Sequence, residues 1–128
     1  MKIDHIGYAV RNIENAKMGM KVLGFVFKDV IVDATRNIYI CLGENDKCRV
    51  ELIAPLSEGS PVDVKLAKMG PTPYHICYKS EHIEDDIARL EKNRFKVTIP
   101  LAPAVAFDGK RVAFLYSLEV GLIEIVEI

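Results

Sequence analysis

The chain says nearly the same thing twice. Asp4-His5-Ile6-Gly7-Tyr8 returns as Tyr74-His75-Ile76-Cys77-Tyr78 at an offset of 70 residues. At that same offset Ile13-Glu14 returns as Ile83-Glu84 and Phe25 as Phe95. Val50-Glu51-Leu52-Ile53 returns as Ile123-Glu124-Ile125-Val126 at an offset of 73, as expected if one loop has gained a few residues. Such a chain is expected to fold as two copies of one module, each with a His near its start and a Glu near its end. Its 128 residues and 50% hydrophobic content make one domain with a core of its own, so the copies are modules of a single fold.

Within the first copy, residues 2–10 alternate as a strand, with Ile3, His5 and Gly7 on one face and Asp4, Ile6 and Tyr8 on the other. Asn12 is the expected N-cap of a short amphipathic helix carrying Ile13, Ala16, Met20 and Leu23, which Gly24 ends. Strands are expected over Phe25–Val32, Ile38–Leu42 and Lys47–Ala54. The first module is thus strand, helix and three strands over about residues 1–56. Ser60 and Pro61 predict the start of a connecting helix over about 60–70, closed by Gly70, Pro71 and Pro73. The second module, about 73–128, repeats the order, with strands at 74–79, 95–99, 111–116 and 121–127, a helix carrying Ile83, Ile87 and Leu90, and Asn93 in its C-terminal turn. Ile99–Phe107, rich in Pro and Ala, reads as a loop that either lines a pocket or subunit contact or folds back on the core. The fold class is α+β.

Charge and cysteines narrow the function. A net charge of -1, from 17 basic and 18 acidic residues, gives no electrostatic footprint for nucleic acid or an anionic membrane. Cys41, Cys48 and Cys77 form no CxxC pair and are odd in number, against a disulfide framework or a zinc knuckle. A cytoplasmic location is expected, since the start of the chain lacks the basic and apolar regions of a signal peptide and no stretch reaches the length of a transmembrane helix.

The chemistry lies in the repeated His and Glu. Glu124 shares its strand face with Leu122 and Val126, while Ile123 and Ile125 fill the other. An ionised carboxylate in such a setting costs several kcal/mol unless it is paired or binds a metal. Glu51 has Arg49 on its own face, and a solvated ion pair is the bland alternative there. His82, at the start of the second helix, is expected at the surface. A pseudo-two-fold relation between the modules would bring His5 and Glu51 together with His75 and Glu124 as a mixed nitrogen and oxygen site for a divalent metal.

With these residues in place the chain resembles, over its whole length, the vicinal oxygen chelate superfamily. The resemblance implies two βαβββ modules paired into a curved mixed sheet around a metal. His5, Glu51, His75 and Glu124 are similar to the four ligands of the short bacterial glyoxalase I enzymes, and Val50–Val62 is similar also to methylmalonyl-CoA epimerase. The metal-bearing relatives imply a divalent ion, nickel or cobalt first and zinc or manganese second, and a homodimer acting on a small-molecule substrate.

Both enzymes remove a proton beside a carbonyl and hold the resulting enediolate, for which a metal serves as Lewis acid. The glyoxalase resemblance places the base at Glu124, with Glu51 mainly a ligand that assists on the opposite face. The glyoxalase reading makes the chain a lyase that turns a thiol hemithioacetal of methylglyoxal into a thioester. The alternative is an acyl-CoA epimerase, and a third reading is a metal-free binding protein of the resistance type. Where the short glyoxalases grip glutathione's carboxylates with an Arg and an Asn, this chain has Ala9 and Pro55; where the epimerase has a second acid, it has Tyr39.

Overall fold

The computed structural model describes residues 1–128 and is a mixed α+β fold of nine strands and three helices. The chain divides into two compact units, residues 5–74 and residues 75–128 with residues 1–4. None of its helices is long and apolar enough to cross a membrane.

The first unit is built from β1 (Lys2–Ala9), α1 (Ile13–Val22), β2 (Val26–Phe27), β3 (Ile31–Asp33), β4 (Ile38–Asn45), β5 (Cys48–Pro55) and α2 (Asp63–Met69). Its strands run in the order β2-β4-β5-β1, with β3 also paired to β4. The Asn12 side chain accepts the Asn15 N–H at 2.9 Å and starts α1 as expected. Gly24, at φ +104°, provides the left-handed turn after it. The apolar stripe of α1 packs through Ile13, Ala16 and Met20 on Cys41, Leu52, Ala54, Tyr8 and Tyr39. Each fully buried Leu or Ile of this kind contributes about 1.5–3 kcal/mol.

Two expectations fail here. Phe25–Val32 is not one strand. Phe27 lies opposite Gly43 and Ile31 opposite Ile40, so the register against β4 slips by one residue between β2 and β3, as a bulge does. The connecting helix starts at Asp63, not at Pro61. Ser60 is buried and its backbone carbonyl takes the Asp63 N–H, while the Asp63 carboxylate reaches back to the Gly59 N–H at 3.0 Å. Ser60 to Val62 thus form a turn ahead of the helix.

The second unit comprises β6 (Thr72–Ser80), α3 (Ile83–Lys92), β7 (Lys96–Pro103), a 3-10 turn at Val105–Phe107, β8 (Arg111–Ser117) and β9 (Gly121–Glu127), in the strand order β6-β9-β8-β7. Ile83, Ile87 and Leu90 of α3 pack on Ala113, Leu115, Ile123, Ile125 and Tyr78. Asn93 caps the C-terminal turn of α3 as expected, and Arg94, at φ +69°, holds the left-handed position that Gly24 holds in the first copy. On the other sheet face Cys77, Ala104, Val112 and Val126 are buried with Phe107 and Phe114 against them. The segment expected to be a loop is largely strand: Ile99–Pro103 continues β7 through two register shifts. Pro100 and Pro103 are tolerated because β7 ends the strand order, where not every N–H must be shared. Leu101, Ala104 and Phe107 then turn onto the core. Arg111 clasps this unit, donating from its backbone and from Nε to the Glu127 carboxylate (2.6 and 2.7 Å) and from Nη1 to Glu84 at the start of α3 (2.8 Å).

Candidate metal-ligating pairs

Each copy uses one device to bring its His and Glu together. The last strand of the module lies parallel to the first: β5 against β1, with Gly7 opposite Glu51, and β9 against β6, with Cys77 opposite Glu124. In both, the His stands two residues before the position opposite the Glu, on the same sheet face. The helices cover the other face, where Tyr8, Leu52 and Ala54 meet α1 and Tyr78, Ile123 and Ile125 meet α3. The repeat seen in the sequence is therefore a repeat of register.

All four side chains are withdrawn from water, with 1% of His5, 3% of Glu51, 4% of His75 and 3% of Glu124 exposed. Glu51 is therefore not solvated, and the Arg49 guanidinium lies 3.9 Å from Glu44. His5 Nε2 stands 3.7 Å from Glu51 Oε2, and His75 Nε2 stands 3.0 Å from Glu124 Oε2. These separations suit a shared ion. Donors bound at about 2.1 Å stand about 3.0 Å apart along an octahedral edge and about 3.4 Å apart along a tetrahedral one. The His75 pair matches the octahedral edge, and the His5 pair would close by several tenths of an ångström. Two imidazoles and two carboxylates are also a donor set that divalent metals of the first transition row accept.

The surroundings of the two Glu differ. Opposite Glu124 across β8 stands Phe114, whose ring meets the His75 imidazole edge to face with centroids 5.3 Å apart. Opposite Glu51 across β4 stands Leu42. No sequence motif marks Phe114, although strict alternation along β8 puts it with Val112 on the face of Glu124. Cys77 lies directly opposite Glu124 but is fully buried among Ala104, Val112 and Val126, as a small core residue would be.

Four further residues fall as follows. Ala9, opposite Ile53, and Pro55, opposite Ile38, share the face of Glu51 and bring no charge to it. Tyr39, opposite Ala54, lies on the helix-packed face and joins the core there. It is thus excluded as a stand-in for a second acid on the ligand face. His82 is exposed at the N-cap of α3, as expected.

Residues 4–114 match the family model described as the glyoxalase/bleomycin resistance protein/dioxygenase superfamily. An uncharacterized protein of Bacillus subtilis, YqjC, is 28% identical over 98% of this chain and 91% of its own. Among solved structures, the hypothetical protein BH1468 of Bacillus halodurans superposes with a TM-score of 0.87 at 28% identity, covering 99% of this chain and 94% of that one. Methylmalonyl-CoA epimerase of Streptomyces coelicolor, in complex with 2-nitronate-propionyl-CoA, shares the fold with a TM-score of 0.84 at 24% identity, covering 99% of this chain and 94% of that one.

Proposed function

We propose a function from the premise that this chain belongs to the glyoxalase/bleomycin resistance protein/dioxygenase superfamily: a metal-dependent acyl-CoA epimerase of the methylmalonyl-CoA type. His5, Glu51, His75 and Glu124 would hold one divalent cation. The observation that carries this reading is the buried His and Glu pair that each copy forms, at 3.7 and 3.0 Å. Two His and two Glu are residues that could hold a metal ion. The fold shared with methylmalonyl-CoA epimerases supports the substrate class.

A cation held there would supply Lewis acidity to a thioester carbonyl. Two imidazoles and two carboxylates would suit a divalent ion of the first transition row, nickel or cobalt first, with manganese or zinc as alternatives. A carboxylate oxygen of Glu124 takes the proton from the carbon beside the carbonyl, and Glu51 delivers one to the opposite face. The apolar residues around Glu124, Phe114 and Val126 among them, keep water from competing for that proton. A cytoplasmic homodimer completes the proposal; the three free thiols fit a reducing compartment.

A second reading, a glyoxalase-type lyase acting on a thiol hemithioacetal, has one specific observation in its favour. The ligand-side face of β4 carries Ile38, Ile40 and Leu42 and no acid before the exposed Glu44, so the site lacks a third carboxylate to serve as a dedicated second base. One assay separates the readings. Protein loaded with nickel or cobalt is given methylmalonyl-CoA in deuterated water and, separately, methylglyoxal with several thiols. Exchange at the alpha carbon is expected. Thioester formation without exchange would replace the epimerase reading by the glyoxalase one, and purified protein that takes up no stoichiometric divalent ion would overturn both in favour of a metal-free binding protein.

A further inference from the structure

We infer that Phe114 is a positioning residue for His75, setting the imidazole in the orientation that ligation requires; this rests on the metal reading above. The terminal torsion of a His side chain has a broad, roughly two-fold profile, so a strand position alone does not fix which ring nitrogen faces the Glu. The perpendicular Phe114 ring, with its centroid 5.3 Å from that of the imidazole, lies within the range that aromatic pairs prefer and blocks rotation on that side.

Phe114 is itself held on three counts. Its backbone carbonyl accepts the Thr98 hydroxyl at 3.2 Å, its backbone is registered opposite Glu124, and its ring packs against the cluster of Cys77, Ala104, Val112 and Val126. One side chain thus touches the His of a ligand pair and neighbours the Glu. In the first copy Leu42 occupies the place opposite Glu51. The pair beside the ring is the closer of the two, 3.0 Å against 3.7 Å.

The test is the affinity of purified protein for nickel, read by competition with a chromophoric chelator. Phe114→Leu should weaken binding about tenfold, as loss of a ligand-orienting neighbour does, and Phe114→Tyr, which keeps the ring, should retain the wild-type value. Phe114→Met replaces the Leu variant if that one does not fold. Ile87→Ala, on the helix-packed face, serves as the packing control: it should lower the melting temperature and leave nickel affinity unchanged. Wild-type affinity in Phe114→Leu, or an equal loss in Ile87→Ala, would overturn the positioning role while leaving the metal reading intact. A wild-type protein that binds no nickel, cobalt, manganese or zinc would remove the metal reading itself, and the inference with it.

Discussion

Tyr39 and Glu51 stand on opposite faces of the same antiparallel pair of strands. Tyr39 is registered with Ala54 and Glu51 with Leu42, three positions along, so the phenol packs under α1 while the carboxylate faces away from it. Removing the hydroxyl should therefore leave the chemistry alone. Tyr39→Phe is expected to keep kcat/KM within about twofold and stability within about 0.5 kcal/mol. A drop of tenfold or more in steady-state assays would return Tyr39 to the list of proton carriers.

Glu124→Gln removes the proposed base but keeps an oxygen donor of nearly the same shape. Turnover should fall by about 10²–10⁴-fold, the usual contribution of a positioned acid or base, while much of the metal is retained. Metal content and turnover measured on the same preparation check this, and undiminished turnover would sink the assignment. Glu51→Gln should separate the readings further, because an epimerase that uses both carboxylates loses racemisation yet keeps proton exchange from one face.

The Arg111 clasp gives a prediction in pH. A backbone hydrogen bond, and after it one from the Arg111 side chain, hold the Glu84 carboxyl below its ordinary value of 4.5; hydrogen bonds from the Arg111 side chain and backbone N–H hold that of Glu127 below the same value. A carboxylate whose folded pKa is depressed stabilises the fold above its unfolded pKa, and that stability is lost as pH falls through the folded value. Arg111→Met should therefore lower the melting temperature near pH 7. The gap from wild type should shrink as pH drops below about 4.5. A gap that stays constant from pH 7 to pH 3 would show that the arginine acts by packing alone.

Two glycines should respond in opposite directions. A Cβ on Gly43 would lie 2.4 Å from the Phe27 ring, whereas one on Gly19, inside α1, would meet nothing within 4 Å. Gly43→Ala is expected to cost about 1–3 kcal/mol through overpacking, and Phe27→Leu in the same chain should recover part of it. Gly19→Ala should stabilise by about 0.5–1 kcal/mol, the usual gain from Ala over Gly in a helix interior. Urea denaturation of the four proteins measures both effects.

The repeat made the module order, both long helices and the faces of His5 and His75 legible, because each rests on periodicity that a strand or helix must obey. What escaped depends on pairing between distant residues. The one-residue slip that breaks Phe25–Val32 in two is visible only against β4, and β7 runs on to Pro103 because it stays paired with β8 through two register shifts. The face of Tyr39 likewise depends on register, since a shift of one residue exchanges the two faces of a strand. The His and Glu of each copy were identified from the residues, and the register shows why they meet within it. Phe114 was missed because its importance comes from a ring contact with His75, which no local pattern announces.

The parallel seating of β5 beside β1 and of β9 beside β6 also has a kinetic side. Each joins the two ends of its module, the most distant contacts that module makes, and such contacts are slow to form. A His and a Glu that become neighbours only at that step would make uptake of the proposed ion a clock. A refolding chain would acquire its metal late, and the moment of capture would report that the closing strand of a module had arrived.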